Sequence, residues 1–259
     1  MTLLHDIDVA IIWKLYYNSY GTYMSSAYKC MQLEVTMKRF KITDLLIGII
    51  FTLLFISIAV VITINFRPLY YMDINLLNIE EDSGILKNVI IENYDALIDY
   101  SSPFFKDDLI FPTLTASASG LQHFTEVKNI FTSLYFLGAI TLILGIIIMI
   151  QKSKKNDYSY LLVSSITAIV LPLLLGFYLF LDFDRAFVIF HKIFFKNDYW
   201  LFDPSTDPVI TILPDTFFLH CALLIILLVL LFSIIFIAVY LWKKRRLSIK
   251  YRKNKGLKL

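Results

Sequence analysis

Four stretches of the chain carry no charged residue: residues 45–66, 130–150, 160–181 and 216–242. A hydrocarbon core about 30 Å thick needs roughly 20 helical residues at about 1.5 Å each, and all four stretches meet that length. The pattern predicts an all-α integral membrane protein with four transmembrane helices. Pro172 removes a backbone donor in the middle of the third span and predicts a kink there, while Pro214 marks the entry to the fourth. No span contains a Gly-xxx-Gly pair.

The connections between spans are patterned too. The first, 67–128, is about 60 residues long, too much for an unstructured link in a compact protein. Within it, residues 86–100 place Leu86, Ile90, Tyr94, Leu97 and Ile98 at helical spacing, which predicts an amphipathic helix. A second helical pattern over 117–130, with Leu121, Phe124, Lys128 and Phe131 three and four apart, runs directly into the second span. The turn-rich 112–120 is its entry.

On a helical wheel, residues 183–197 of the other long connection separate into two faces. Phe183, Phe187, Phe190, His191, Phe194 and Phe195 fill one arc, and Arg185, Lys192 and Lys196 fill the opposite one. That is the pattern of an interfacial helix lying on a membrane, with the three basic residues as headgroup contacts. Tyr199 to Phe202 then read as aromatic-belt residues, followed by turns at Asp203-Pro and Asp207-Pro.

Charge gives these elements an orientation. Lys38, Arg39 and Lys41 precede the first span, Lys152, Lys154 and Lys155 fill the turn between the second and third, and residues 243–259 hold nine basic and no acidic residues. Positive flanks stay on the cytoplasmic side, so both ends point inward and the two long connections outward. Those connections are acidic, with ten acidic against four basic residues in 67–128 and five against three in 183–215. The division is a four-span domain at 37–242, a basic cytoplasmic tail at 243–259 and an N-terminal extension at 1–36. Met37-Lys-Arg-Phe-Lys41 has the form of a membrane-protein start, which leaves open whether that extension is translated or an artefact of the assigned start.

Composition agrees: 58% of residues are hydrophobic and the mean hydropathy is +0.69. The net charge of +3 averages over unlike compartments and gives no warrant for nucleic-acid binding; anionic lipid suffices for the tail. Cys30 and Cys221 both lie outside the long connections, so neither a disulfide framework nor a thiolate metal site is available. Phosphate-loop, dinucleotide, nucleophile-elbow and zincin motifs are all missing, and no cofactor or metal is expected.

Histidine remains. Of four, His123, His191 and His220 fall at the outer interface, where an imidazole with an ordinary pKa of about 6.5 can act as a base. Glu126 follows His123 by three positions, within reach on one helix face. A histidine on an aromatic face also packs without chemistry, and His220 reads as a span-end residue.

The segments Ser119-Gly-Leu-Gln-His-Phe-Thr-Glu-Val-Lys-Asn-Ile-Phe131, Phe190-His-Lys-Ile-Phe-Phe-Lys-Asn-Asp-Tyr-Trp200 and Asp203-Pro-Ser-Thr-Asp-Pro-Val-Ile-Thr-Ile-Leu-Pro-Asp-Thr-Phe-Phe218 resemble the bacterial lipoprotein intramolecular transacylase family. Asn93 to Tyr100 resembles that family's first-loop helix, and the likeness spans roughly 37–242. Glu126 stands where many members carry Asp, and residues 1–36 have no counterpart.

The resemblance implies an acyltransferase of the bacterial plasma membrane with its active site on the extracellular side. Its substrate would be a diacylated bacterial lipoprotein, whose sn-2 acyl chain moves from the diacylglyceryl-cysteine to that cysteine's own α-amino group. His123 and His191 stand at the family's two histidines. The expected roles are His123 as base on the amine and His191 as acid toward the leaving alkoxide, or the reverse. Glu126 is an orienting partner, and Asp203 and Asp207 are weaker supporting candidates that turn formation explains equally. Two other readings fit the same residues: a non-enzymatic scaffold or lipid-binding subunit, and an intramembrane hydrolase with water as acceptor.

Overall fold

The computed structural model describes residues 42–254. The 1–36 extension and the last five residues of the tail lie outside that range. Along the described chain run α1 (Ile42–Asn65), α2 (Arg67–Leu76), α3 (Ile79–Ser83), α4 (Lys87–Tyr100), α5 (Ala118–Lys154), α6 (Ser159–Leu181), α7 (Phe183–Phe194), α8 (Val209–Ile212) and α9 (Asp215–Asn254). Helices α1, α5, α6 and α9 are long and apolar enough to span a membrane, so the protein is multi-pass. Their alternation puts the 66–117 and 182–214 connections on one side of the bundle, here the loop side.

α1 is the hub, packing on α5, α6 and α9, and α9 also packs along α6. Without a hydrophobic drive between helices in lipid, close backbone approach and interlocking side chains do this work. Gly138 and Gly145, seven positions apart on α5, face α1: a Cβ at these sites would lie 3.2 Å from Ser57 and Phe51 respectively. Pairwise glycine motifs miss that spacing. The Phe51 ring also joins α1 to its other neighbours: Phe51 and Phe55 interlock with Phe236 at centroid distances of 5.0 and 4.9 Å, and Phe51 stacks on Tyr160. At the opposite end of the bundle, Lys152 reaches both Asp44 (3.1 Å) and Asp157 (3.2 Å), tying α1 to the turn between α5 and α6.

The loop side has its own core. Tyr70 stacks on Tyr94 at 3.7 Å, packs edge-on against Phe217, and donates its hydroxyl to the Ile212 carbonyl at 2.6 Å. This joins α2, α4, α8 and the start of α9. Of the α4 stripe expected from spacing, Ile90, Tyr94 and Leu97 are buried, whereas Leu86 precedes the helix and is exposed. Asn93, on the same face and fully buried, donates to Val89 O and Thr113 Oγ1 and accepts from the Thr113 and Leu114 N–H groups. It therefore fixes the strap that leads into α5.

Three features differ from the sequence expectations. Residues 67–83 form α2 and α3, whose burial depends on partners from distant chain and leaves no clear period. α9 continues to Asn254 through most of the basic tail, because Lys and Arg are good helix formers and cations suit a helix C-terminus. The single apolar arc predicted over 183–197 splits: His191 and Phe195 are buried, whereas Phe190 and Phe194 are exposed. α6 runs as one helix through Pro172.

Asn93→Ala removes four hydrogen bonds and leaves two strap N–H groups unpaired. At about 1–3 kcal/mol for each buried polar group left unsatisfied, it is expected to lower the melting temperature of the detergent-solubilised protein by several degrees. Asn65→Ala, at an exposed site, is expected to change it little.

Candidate active site

α5 is 37 residues long, about 55 Å at 1.5 Å per residue, and cannot fit within a hydrocarbon core of about 30 Å. Its first turns precede the apolar crossing at 130–150 and stand on the loop side. His123 lies there, on the second turn, and its placement depends on how α5 begins. The Ser117 side chain caps the helix by accepting from Gly120 N–H at 3.0 Å. Buried Asp207, from the other connection, accepts from Ser117 N–H at 2.7 Å and from Thr206 Oγ1 at 2.7 Å. A carboxylate here is favoured by the positive end of the α5 dipole. Gly120 permits the approach, since a Cβ at that position would overlap Asp207 Oδ1.

α7 supplies the second histidine. Asp182 caps it by accepting from Arg185 N–H, and His191 on its inner face is buried. The His123 and His191 rings are 6.1 Å apart, so the structure brings together two residues 68 positions apart in sequence. Aromatic rings enclose them: Phe195 lies 4.6 Å from His123, Phe187 4.2 Å from His191, and Trp200 stacks on His191 at 4.7 Å.

The hydrogen bonds of the pair are unequal. His191 Nδ1 lies 2.8 Å from the Phe187 carbonyl oxygen. A carbonyl can only accept, so Nδ1 carries the proton and neutral His191 keeps its lone pair on Nε2. His123 Nδ1 is buried and has no hydrogen-bond partner among the described residues. Among the described residues Glu126 does not bond to His123; its Oε1 accepts from Asn197 at 2.9 Å and from Gln122 at 3.5 Å, while its buried Oε2 has no partner there. It acts on the ring through its charge.

Burial, reinforced by the neighbouring His191, pushes the His123 pKa down to about 4 against the pull of Glu126. Burial also lowers that of His191, opposed by its bond to the Phe187 carbonyl and by Asp215. Both rings are therefore neutral near pH 7.

The other candidates lie apart from the pair. Asp203 is exposed and accepts from the backbone and side chain of Ser205, bonds that lower its pKa and mark a turn former. Asp207 acts on His123 through the start of α5. Arg185, Lys192 and Lys196 are exposed. His220 belongs elsewhere, with Nδ1 2.9 Å from both oxygens of buried Asp73. Trp200, and Phe202 edge-on to His123 at 5.5 Å, are the residues that sequence reasoning missed; an aromatic run gave no signal that two members turn inward.

The family of lipoprotein intramolecular transacylase Lit matches residues 45–218. Among solved structures, the membrane-integral lipoprotein intramolecular transacylase Lit of Bacillus cereus is 36% identical with a TM-score of 0.77, over 80% of this chain and 98% of that one. Two further structures of that protein carry one histidine replaced. The histidine-to-arginine form is 33% identical with a TM-score of 0.75, over 86% of this chain and 99% of its own. The histidine-to-alanine form is 34% identical with a TM-score of 0.74, over 85% and 99%. No curated protein matches the chain.

Two outcomes follow from this geometry. Gly120→Ala forces Asp207 or the start of α5 to shift and is expected to lower the melting temperature by several degrees. In a double-mutant cycle with Asp207→Ala the effect should be markedly non-additive, since the clash needs both groups. Secondly, His123 has a folded-state pKa of about 4 against about 6.5 unfolded. The unfolded chain therefore binds more protons between those values, and the stability conferred by a neutral His123 is full above about pH 6.5 and lost as pH falls toward 4. His123→Gln should flatten that part of the stability profile in thermal scans at fixed pH.

Proposed function

Because the chain belongs to the lipoprotein intramolecular transacylase family, we propose that His123 and His191 carry the acyl transfer of a membrane acyltransferase acting on diacylated lipoproteins. The substrate's N-terminal cysteine bears a diacylglyceryl thioether, and its α-nitrogen attacks the sn-2 ester carbonyl. A C–N bond forms, the C–O bond to glycerol breaks, and the proton lost by nitrogen ends on the glycerol oxygen. The product is an N-acylated, lyso-form lipoprotein.

An α-amino group has a pKa of about 7.7–8.0 and needs a base to become nucleophilic near pH 7. Donor and acceptor belong to one molecule, so holding them in contact supplies much of the rate, and ester to amide is downhill.

The observation that carries the assignment is the bond from His191 Nδ1–H to the Phe187 carbonyl. It leaves Nε2 as a proton acceptor and stabilises the imidazolium that forms, favouring His191 as base on the amine. His123, 6.1 Å away and kept neutral, is then the partner that hydrogen-bonds the leaving oxygen. Of the two assignments that the sequence leaves open, this favours the one with His191 as base. Glu126 biases the His123 ring by its charge, and Asp207 positions it through the start of α5. Arg185 and Lys192 on the exposed face of α7, with Lys196 just beyond its end, contact lipid headgroups. The distribution of Lys and Arg supports a loop side facing the cell exterior, where the lipoprotein N-terminus resides.

With a synthetic diacylglyceryl lipopeptide and the purified protein, mass spectrometry is expected to show an N-acyl, S-monoacylglyceryl cysteine. Free fatty acid as the product would make the protein a hydrolase instead. His191→Ala and His123→Ala are each expected to lower the rate by about 10²–10⁴-fold. Retention of full activity in both would overturn the assignment.

A further inference from the structure

Besides His123 Nδ1, two buried polar atoms near the histidine pair have no hydrogen-bond partner among the described residues: Trp200 Nε1 and Glu126 Oε2. Buried polar groups are nearly always paired, because taking them out of water without a partner costs free energy. Both side chains are otherwise well fixed. The Trp200 ring is stacked on His191 at 4.7 Å and 29°, and the other oxygen of Glu126 is held by Asn197 at 2.9 Å. Neither atom can be excused as the end of a loose side chain.

Their chemical characters are opposite. An indole N–H only donates, and a carboxylate oxygen only accepts. The substrate inferred above brings one group for each: an ester carbonyl whose oxygen becomes an oxyanion during attack, and an α-ammonium that must lose a proton. Resting on that function, we propose that Trp200 Nε1–H donates to the ester carbonyl oxygen while Glu126 Oε2 accepts from the α-ammonium. The two residues form a polar clamp that orients both reacting ends of one lipoprotein.

Trp200 is then an oxyanion donor beside the base, and its contribution grows as charge develops on the oxygen. Glu126 binds the cationic form of the substrate before the proton leaves, so it acts chiefly on binding. These different timings separate the two residues experimentally. Asn197 and Gln122 hold Glu126 in place without neutralising it.

The test uses the purified full-length protein, the diacylglyceryl lipopeptide, and the same lipopeptide with an acetylated α-nitrogen as an unreactive competitor. Trp200→Phe is expected to lower kcat by about 10²–10³-fold with KM and the competitor's inhibition constant unchanged. Glu126→Gln is expected to raise KM about tenfold while leaving the inhibition constant of the acetylated competitor unchanged, since that molecule has no ammonium. A kcat for Trp200→Phe within about twofold of the parent, or equal weakening of both ligands by Glu126→Gln, overturns the clamp. Should Trp200→Phe melt early, the benzothiophene isostere of tryptophan at position 200 keeps the fused rings, lacks the N–H and is held to the same criterion. Absence of N-acyl product from the parent protein, or full activity in the histidine variants, would instead remove the functional reading beneath it.

Discussion

The mismatch between a helix of 37 residues and an apolar slab about 30 Å thick governs this molecule. Because α5 crosses the slab and continues beyond it without a break, the height of His123 above the membrane is set by hydrocarbon thickness and by a rigid rod. α1 anchors that rod along its crossing, through the close approaches at Gly138 and Gly145. The loop-side core, centred on Tyr70, Tyr94 and Phe217, sets its upper end. A soluble protein must fix a side chain in three dimensions by packing alone; here the bilayer supplies one of them.

The second histidine arrives by another route. α7 lies across the same level as an amphipathic helix and turns one narrow strip inward, so two independent elements meet at a ring separation of 6.1 Å. Their surroundings are aromatic and poor in hydrogen-bonding partners, which keeps the rings neutral and leaves their lone pairs usable. The same dryness strengthens any charge interaction made there.

Much of this was legible in the chain. The four charge-free runs, the α4 stripe and the unbroken passage from 117 into the second span follow from local periodicity, and local periodicity survives folding. Asp203 and Asp207 looked alike in sequence, each preceding a proline, yet one forms an exposed turn and the other locks α5; only a contact 90 positions away separates them. Trp200 was hidden for the same reason, since its neighbour His191 and its unpaired nitrogen are facts of packing. The wheel gathered the α7 aromatics correctly but could not divide them, because nothing in their spacing tells protein from lipid. His220 was read as a span end, and its partner Asp73 lies 147 positions earlier.

The lock between Asp207 and Ser117 also bears on biosynthesis. Chains emerge and insert from the N-terminal side, so α5 with His123 reaches the membrane well before residues 199–214 exist. Until that later segment arrives, the carboxylate that secures the start of α5 is missing and His123 lacks the contact that fixes its helix. The start of α5 is thus completed only once the segment just before the last span has been made.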